Sequence, residues 1–252
     1  MRPADKNDRI RRTVKILIFA LCAAFALVSL IRFAVLGKAV GVTMALLAAA
    51  VASLPLLVEK VFSCDIAIPL HLFVALYAPG PMLGNSYNLY YDTAWWDKLL
   101  HFSGGLLFAL AGLYLILLIN RKGSVSRLTR ALFALFFSVT VAVIWEFVEF
   151  GADSFLGQDM QKDTIVTAFN SCLLGPGKGI MHHVGDIESV IVNGEVLPGY
   201  VDIGLIDSMK DLLIETAGAL LVAAAFLIDR GKHSLIRQKN GAVPGSGEET
   251  GK

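Results

Sequence analysis

Eight side chains stand out because their types and spacing could do chemistry. Asp97 and His101 are four residues apart, which puts both on one face of a helix. Glu146, Glu149 and Asp153 follow at intervals of three and four, and Asp207, Asp211 and Glu215 at intervals of four. Each of these sets also shares a helix face. Carboxylate oxygens with a single histidine suit Mg, Mn or Ca better than a thiolate-rich zinc site would. A cation held there would polarise a phosphoryl or carbonyl oxygen while a carboxylate or imidazole moved the proton. His101, Glu146, Glu149 and Glu215 are the candidates for that proton, and the sequence assigns none of them a catalytic role.

The elements that position these stripes are membrane spans. Hydrophobic residues make up 56% of the 252 and charged residues 17%, whereas a soluble domain carries about 25% charge. That composition excludes a nucleic-acid binder, a secreted disulfide scaffold and a cytosolic enzyme as first readings. About 20 apolar residues cross a hydrocarbon core of ~30 Å. Val14 to Leu36, Val40 to Phe62, Leu99 to Ile119, Leu132 to Phe150 and Leu212 to Ile228 each supply such a run. Ile66 to Leu83 is shorter and holds His71, Pro69, Pro79 and Pro81, so it reads as either a complete span or a kinked, partly re-entrant one. The first run exceeds a signal-peptide core, so it reads as a retained helix. The expected fold is an all-α polytopic membrane protein of about six transmembrane helices with a small external β-hairpin. Residues 1–13 form a basic cytoplasmic N-terminus, 14–230 the membrane domain and 231–252 a disordered cytoplasmic tail.

Charge sets the orientation. With six spans, 16 of the 22 basic residues share the side holding both termini and the loops near residues 60 and 125. The other side holds 14 of the 21 carboxylates. Both termini are therefore expected in the cytoplasm of a bacterial inner-membrane protein. On this topology His101 lies ~6 Å inward of Asp97, Glu146 ~10 Å inward of Asp153 and Glu215 ~12 Å inward of Asp207, at 1.5 Å per residue. Carboxylates facing lipid cost about 2.5–3.5 kcal/mol each at a helix centre. One shared polar pocket open to the outer face is the economical arrangement.

Simpler roles exist for some of these groups. Asp97 and Asp207 would be favourable as helix N-terminal caps. Glu146 and Glu149 lie at a helix C-terminus, where the dipole opposes them, and Glu215 is two turns past any cap. Lys98 and Lys210 read as interfacial snorkels. Arg32 either pairs with a carboxylate or snorkels outward. Tyr87, Tyr90, Tyr91, Trp95 and Trp96 read as an outer aromatic belt. Gly175-Pro176-Gly177-Lys178-Gly179 lacks the phosphate-loop spacing. His182, His183 and Asp186 read as exposed loop residues. Cys22, Cys64 and Cys172 lie in different segments and offer neither metal spacing nor an intramolecular disulfide. The external loop 153–207 contains Asn193-Gly194 between β-prone residues, which predicts a type I′ hairpin near 188–197.

Three segments also carry a family resemblance. They are Asp97-Lys98-Leu99-Leu100-His101-Phe102, then Trp145 to Glu149 with Asp159 to Thr164, then Gly204 to Asp211. Together they resemble the YjdF-type family of bacterial inner-membrane proteins over roughly residues 60–230, which implies location and architecture but no activity. The Asp-Lys-x-x-His-Phe helix start is also similar to that of VanZ-like proteins, which are linked to glycopeptide tolerance, although the long hairpin-bearing insert departs from their shorter pattern. Three function classes stay open: a metal-dependent enzyme acting on a lipid or envelope precursor, a cation- or proton-coupled transporter, and a structural envelope protein. The lipid bilayer is the one expected partner, nucleic acid is not one, and the sequence leaves the oligomeric state open.

Overall fold

The computed structural model describes residues 6–120, 125–229 and 236–238. Five helices are long and apolar enough to cross a membrane: α1 (Lys6–Val35), α2 (Ala39–Phe62), α6 (Trp96–Ile119), α7 (Arg127–Leu156) and α8 (Leu205–Ile228). They match five of the six expected spans and extend beyond the apolar runs at several ends. The segment Ile66 to Leu83 is kinked: it forms α3 (Ile68–Tyr77) and α4 (Gly80–Ser86), followed by a single turn, α5 (Leu89–Asp92). Pro79 and Pro81 have no N–H to continue the ladder, and their rings crowd the preceding turn. The last bond of the first half runs from Ala78 N–H to Val74 O, and the next from Leu83 N–H to Pro79 O. Neither half is long enough to cross alone.

The chain divides into two compact units, Met1–Thr140 with Ile214–Lys252, and Val141–Leu213. In the first unit, α3 and α4 follow α1 along most of its length. Near the start of α1, Lys15 meets Glu59, which in turn contacts His71 of α3. At mid-length Cys22 packs with Ala52 and Ala78, and its thiol lies 3.5 Å from Ala75 O. Toward its end, Phe33 packs with Ala45 and Met82 of α4, and Ser29 Oγ lies 3.0 Å from Tyr87 Oη. Arg32 stacks over the Tyr87 ring at 5.1 Å, so its charge rests on an aromatic face.

The other half of this unit is a small-residue packing of α6 against α7 and α8. Ala109, Leu113, Ala134, Ala219 and Val222 form its core. A Cβ on Gly105 would land on the Glu215 carbonyl oxygen, and one on Gly218 would come within 2.5 Å of Phe102 O. Ser138 Oγ donates to Gly105 O at 3.2 Å, bringing α7 to the same place. Without side chains at these glycines the backbones approach closely, as small residues permit in membrane bundles. Arg127 at the start of α7 donates to the Phe226 and Asp229 carbonyls at the end of α8.

A short strand, β1 (Cys64–Ile66), pairs antiparallel with β8 (Ile236–Gln238), aligning Asp65 with Arg237. Three residues of the expected disordered tail are therefore strand. The remainder of that tail lies outside the described residues, as do Arg2, Arg121 and Lys122.

The second unit holds the C-terminal end of α7, the N-terminal end of α8 and three two-stranded ladders. β2 (Thr164–Val166) pairs with β7 (Tyr200–Asp202), β3 (Phe169–Ser171) with β4 (His182–Val184), and β5 (Val190–Val192) with β6 (Glu195–Leu197). The last is the expected hairpin, with φ of 52° at Asn193 and 93° at Gly194. The type I′ turn demands positive φ at both central residues. The other two ladders were not expected, because strands of three residues leave almost no periodicity to read.

Candidate functional site

In the first unit, Asp97 sits in the first turn of α6, His101 one turn further in, and Glu215 on α8; all three are buried. His101 Nδ1 lies 3.6 Å from Glu215 Oε2, and Nε2 lies 3.8 Å from Asp97 Oδ1. These separations bring opposite charges together when the ring is protonated. Lys98 Nζ donates to Asp97 Oδ2 at 3.1 Å, which gives that lysine a partner within the protein. Asp97 does not cap α6: the N-cap is Trp95, and no side chain bonds there.

Tyr77, at the end of α3, was absent from the sequence reading. A Cβ on Gly104 would lie 3.1 Å from Tyr77 Oη and 3.6 Å from Glu215 Oε1, so the phenol and the carboxylate converge over that glycine. Nothing in the spacing of Tyr77 could have revealed this, because the contact joins α3 to α6 across 27 residues of sequence. At the neighbouring Gly105 the α8 backbone comes close, with Glu215 O where a Cβ would lie.

Along α7 the buried positions are Ala131, Ala134, Ser138, Ala142, Glu146, Glu149 and Ala152, at intervals of three and four. Glu146 thus continues an otherwise small, apolar stripe. Among the described residues, neither of its carboxylate oxygens has a hydrogen-bond partner, and the residue is 6% exposed. Glu149 accepts from Trp145 Nε1 at 2.8 Å.

Asp153 and Asp207, in the second unit, hold the chain as it leaves the helices. Asp153 accepts from the Met160 and Gln161 N–H groups at 2.7 and 2.8 Å, and Asp207 from Lys162 N–H at 3.0 Å. Gln161 Nε2 reaches Ser208 Oγ at 2.6 Å, and Asp202 accepts from Ile206 N–H at the start of α8. Asp207 therefore anchors the loop. Partial desolvation, together with Asp163, Asp153 and Asp207, pushes the Asp159 carboxyl above its ordinary value, with Lys162 opposing. Asp211, one turn beyond Asp207, is almost fully buried, and Lys210 is exposed. His183 Nδ1 lies 2.9 Å from Asn170 Oδ1 across the β3–β4 ladder.

A second polar cluster lies in the first unit, where α1 begins and α2 ends. Buried Lys15 donates to Glu59 at 2.5 Å and to Asp65 at 2.6 Å. Arg11 reaches Asp65 at 3.0 Å, and His71 Nε2 lies 3.2 Å from Glu59. Pairing between residues this far apart in sequence leaves no local pattern from which the cluster could be read.

Apolar helices of membrane-crossing length, with acidic and imidazole groups buried among them, define a multi-pass helical membrane protein. Residues 14–232 match the family described as predicted membrane protein (DUF2238), and the chain belongs to it. That match agrees with the YjdF-type resemblance, while the likeness to VanZ-like proteins rests on the start of α6 alone. No curated protein and no solved structure matches the chain.

Proposed function

We propose that this protein binds a divalent cation (Mg, Mn or Ca) in the outer half of the bilayer. Asp97, His101 and Asp211 are the primary ligands, and Glu215, Glu146 and Glu149 complete an acidic surround. Asp153 and Asp207 secure the loop above. The observation that carries the reading is burial: Asp97, His101, Asp211 and Glu215 are 7, 7, 1 and 4% exposed. The first three are of the types that hold such ions. Asp97 precedes His101 by one turn on α6, and Asp211 precedes Glu215 by one turn on α8. Within the first unit, the His101–Glu215 approach brings α6 and α8 together at one end of this set. A divalent cation would place two positive charges among these carboxylates, the arrangement in which buried acidic groups are stable.

Mn(II) titration of the purified protein in nanodiscs, read by the EPR signal of the free ion, tests this. Saturable binding that competes with Mg or Ca and weakens at least tenfold in Asp211→Asn supports the site, with Glu195→Gln as the unaffected external control. Folded wild-type protein that binds no ion would discard it.

The same reading takes the broken α3–α4 segment as a sixth crossing, with both termini cytoplasmic in a bacterial inner membrane. Its contacts with α1, from the level of Lys15 to that of Phe33, support this, because 18 residues of helix rise about 27 Å. The β1–β8 pairing also supports it by joining the tail to the loop after α2. An alkaline phosphatase fusion after Lys252 should be inactive and a fluorescent protein fusion bright; the reverse pattern discards the sixth crossing.

A transporter reading draws support from the Lys15–Glu59–His71 cluster, since α3 carries His71 at one end and Tyr77 at the other. Cation-dependent proton flux in proteoliposomes would favour it over a binding protein or an enzyme acting on a lipid or envelope precursor.

A further inference from the structure

The external unit carries an apolar feature that the cation site does not use. Pairing of β3 with β4 brings residues 172–181 together as one hairpin tip. There Leu173, Leu174, Ile180 and Met181 are 93, 56, 53 and 62% exposed. The tip is built rather than loose. The Leu173 and Leu174 N–H groups both donate to Ser171 Oγ at 3.1 and 3.2 Å, and Ile180 N–H donates to Gly177 O at 3.1 Å. A Cβ on Gly175 would collide with the Ile180 carbonyl oxygen, so the two arms close on each other. Backbone groups satisfied in this way, with Pro176 carrying no N–H, lower the cost of leaving water.

Charge separates this hairpin from the rest of the loop. Residues 164–185 contain no Asp or Glu, and Lys178 at the tip is exposed. The flanks are acidic, with Asp159 and Asp163 before the segment and Asp186 and Glu188 after it. The β5–β6 hairpin also exposes apolar side chains, Ile191 and Val196, but Glu188 and Glu195 accompany them. A basic, carboxylate-free apolar tip complements a phospholipid surface.

The root of the hairpin lies where two membrane helices end. The α7 helix stops at Leu156, α8 starts at Leu205, and exposed Phe155, Leu156, Ile203 and Leu205 mark those ends. Only two residues join β2 to β3, β2 pairs with β7 just before α8, and the Phe169 and Tyr200 rings lie 5.0 Å apart. A strand rises about 3.3 Å per residue, so arms of this length keep the tip within ~20 Å of its root. The nearest large apolar phase within that reach is the outer leaflet of the bilayer in which the protein sits.

We infer that the β3–β4 hairpin is an interfacial lipid anchor: Leu173, Leu174, Ile180 and Met181 enter the boundary between head groups and acyl chains, and Lys178 meets lipid phosphate. This would tether the external unit to the membrane surface, and it stands independently of the cation site.

Cys172 supplies the probe, being exposed at the tip while Cys22 and Cys64 are buried. The full chain, labelled at Cys172 with a polarity-sensitive fluorophore, is reconstituted in nanodiscs of phosphatidylethanolamine and phosphatidylglycerol. The anchor predicts blue-shifted emission, several-fold stronger quenching by nitroxides at the head group and upper acyl chain than by a water-soluble nickel chelate, and weaker lipid quenching in Lys178→Glu. The combined Leu173→Ser, Leu174→Ser, Ile180→Ser and Met181→Ser variant, labelled at the same cysteine, should reverse the preference. Persisting lipid quenching in that variant would mean that the label itself inserts, which overturns the proposal. So would an aqueous-quenched wild type. Blue-shifted emission without lipid quenching, dependent on the number of chains per disc, would replace the lipid with a second copy and likewise overturn it.

Discussion

Asp153 shows how much one side chain can organise. Its two oxygens hold the Met160 and Gln161 N–H groups where the chain leaves α7. Asp153→Ala would leave both donors to water and is expected to destabilise the second unit by about 1–2 kcal/mol, as loss of a helix cap does. Limited proteolysis of the 157–163 segment would report it as faster cleavage. Asp159 works in the opposite sense. Its carboxyl is raised by partial desolvation and by neighbouring Asp163, Asp153 and Asp207. An acid with a raised folded pKa binds its proton more tightly when folded, so stability falls as pH rises from its ordinary value of 3.8 through the raised one. Asp159→Asn should therefore raise Tm at pH 7, with the advantage shrinking toward pH 4. An equal gain at both pH values would remove the electrostatic explanation.

At the scale of elements, the α6–α8 crossing depends on having no side chain at Gly105 and Gly218. Added carbon at either position meets backbone, which cannot rotate away. Gly105→Val should separate the helices and destabilise the bundle by about 1–3 kcal/mol, the usual cost of overpacking. Because Gly105 abuts Glu215, the same variant should weaken Mn(II) binding even where it folds. Gly151→Val provides the contrast: a Cβ there meets nothing within 4 Å, so a small effect is expected on both stability and binding. Thermal unfolding in detergent, run beside the Mn(II) titration, separates the two outcomes.

At the scale of the molecule, the Lys15 cluster joins α1, α2, β1 and α3 through one ammonium. Lys15→Met would take the ammonium from between Glu59 and Asp65 at a buried position. Removing one partner of such a group costs about 3–5 kcal/mol, with the lower end expected because Asp65 is partly exposed and keeps Arg11. Glu59→Gln added to Lys15→Met should recover part of the loss in Tm. No recovery would show that the cluster does not act through charge.

The sequence by itself determined the membrane class, five helices of crossing length, the Asn193-Gly194 hairpin and the three faces that carry the acidic groups. All of these follow from local chemistry: apolar run length, helical spacing and the φ requirement of a tight turn. Tertiary structure decided what each polar group meets. It gave Asp153 and Asp207 backbone partners in the loop, set His101 beside Glu215, and brought Tyr77 to Gly104. It also turned Lys15, Glu59, Asp65 and His71 into one ion cluster and folded two further ladders from strands too short to show a period. A helix face constrains only the direction in which a side chain leaves its own axis. Its partner is chosen by packing between segments distant in sequence, where a missing Cβ or a broken helix fixes the approach, and no local pattern encodes that choice.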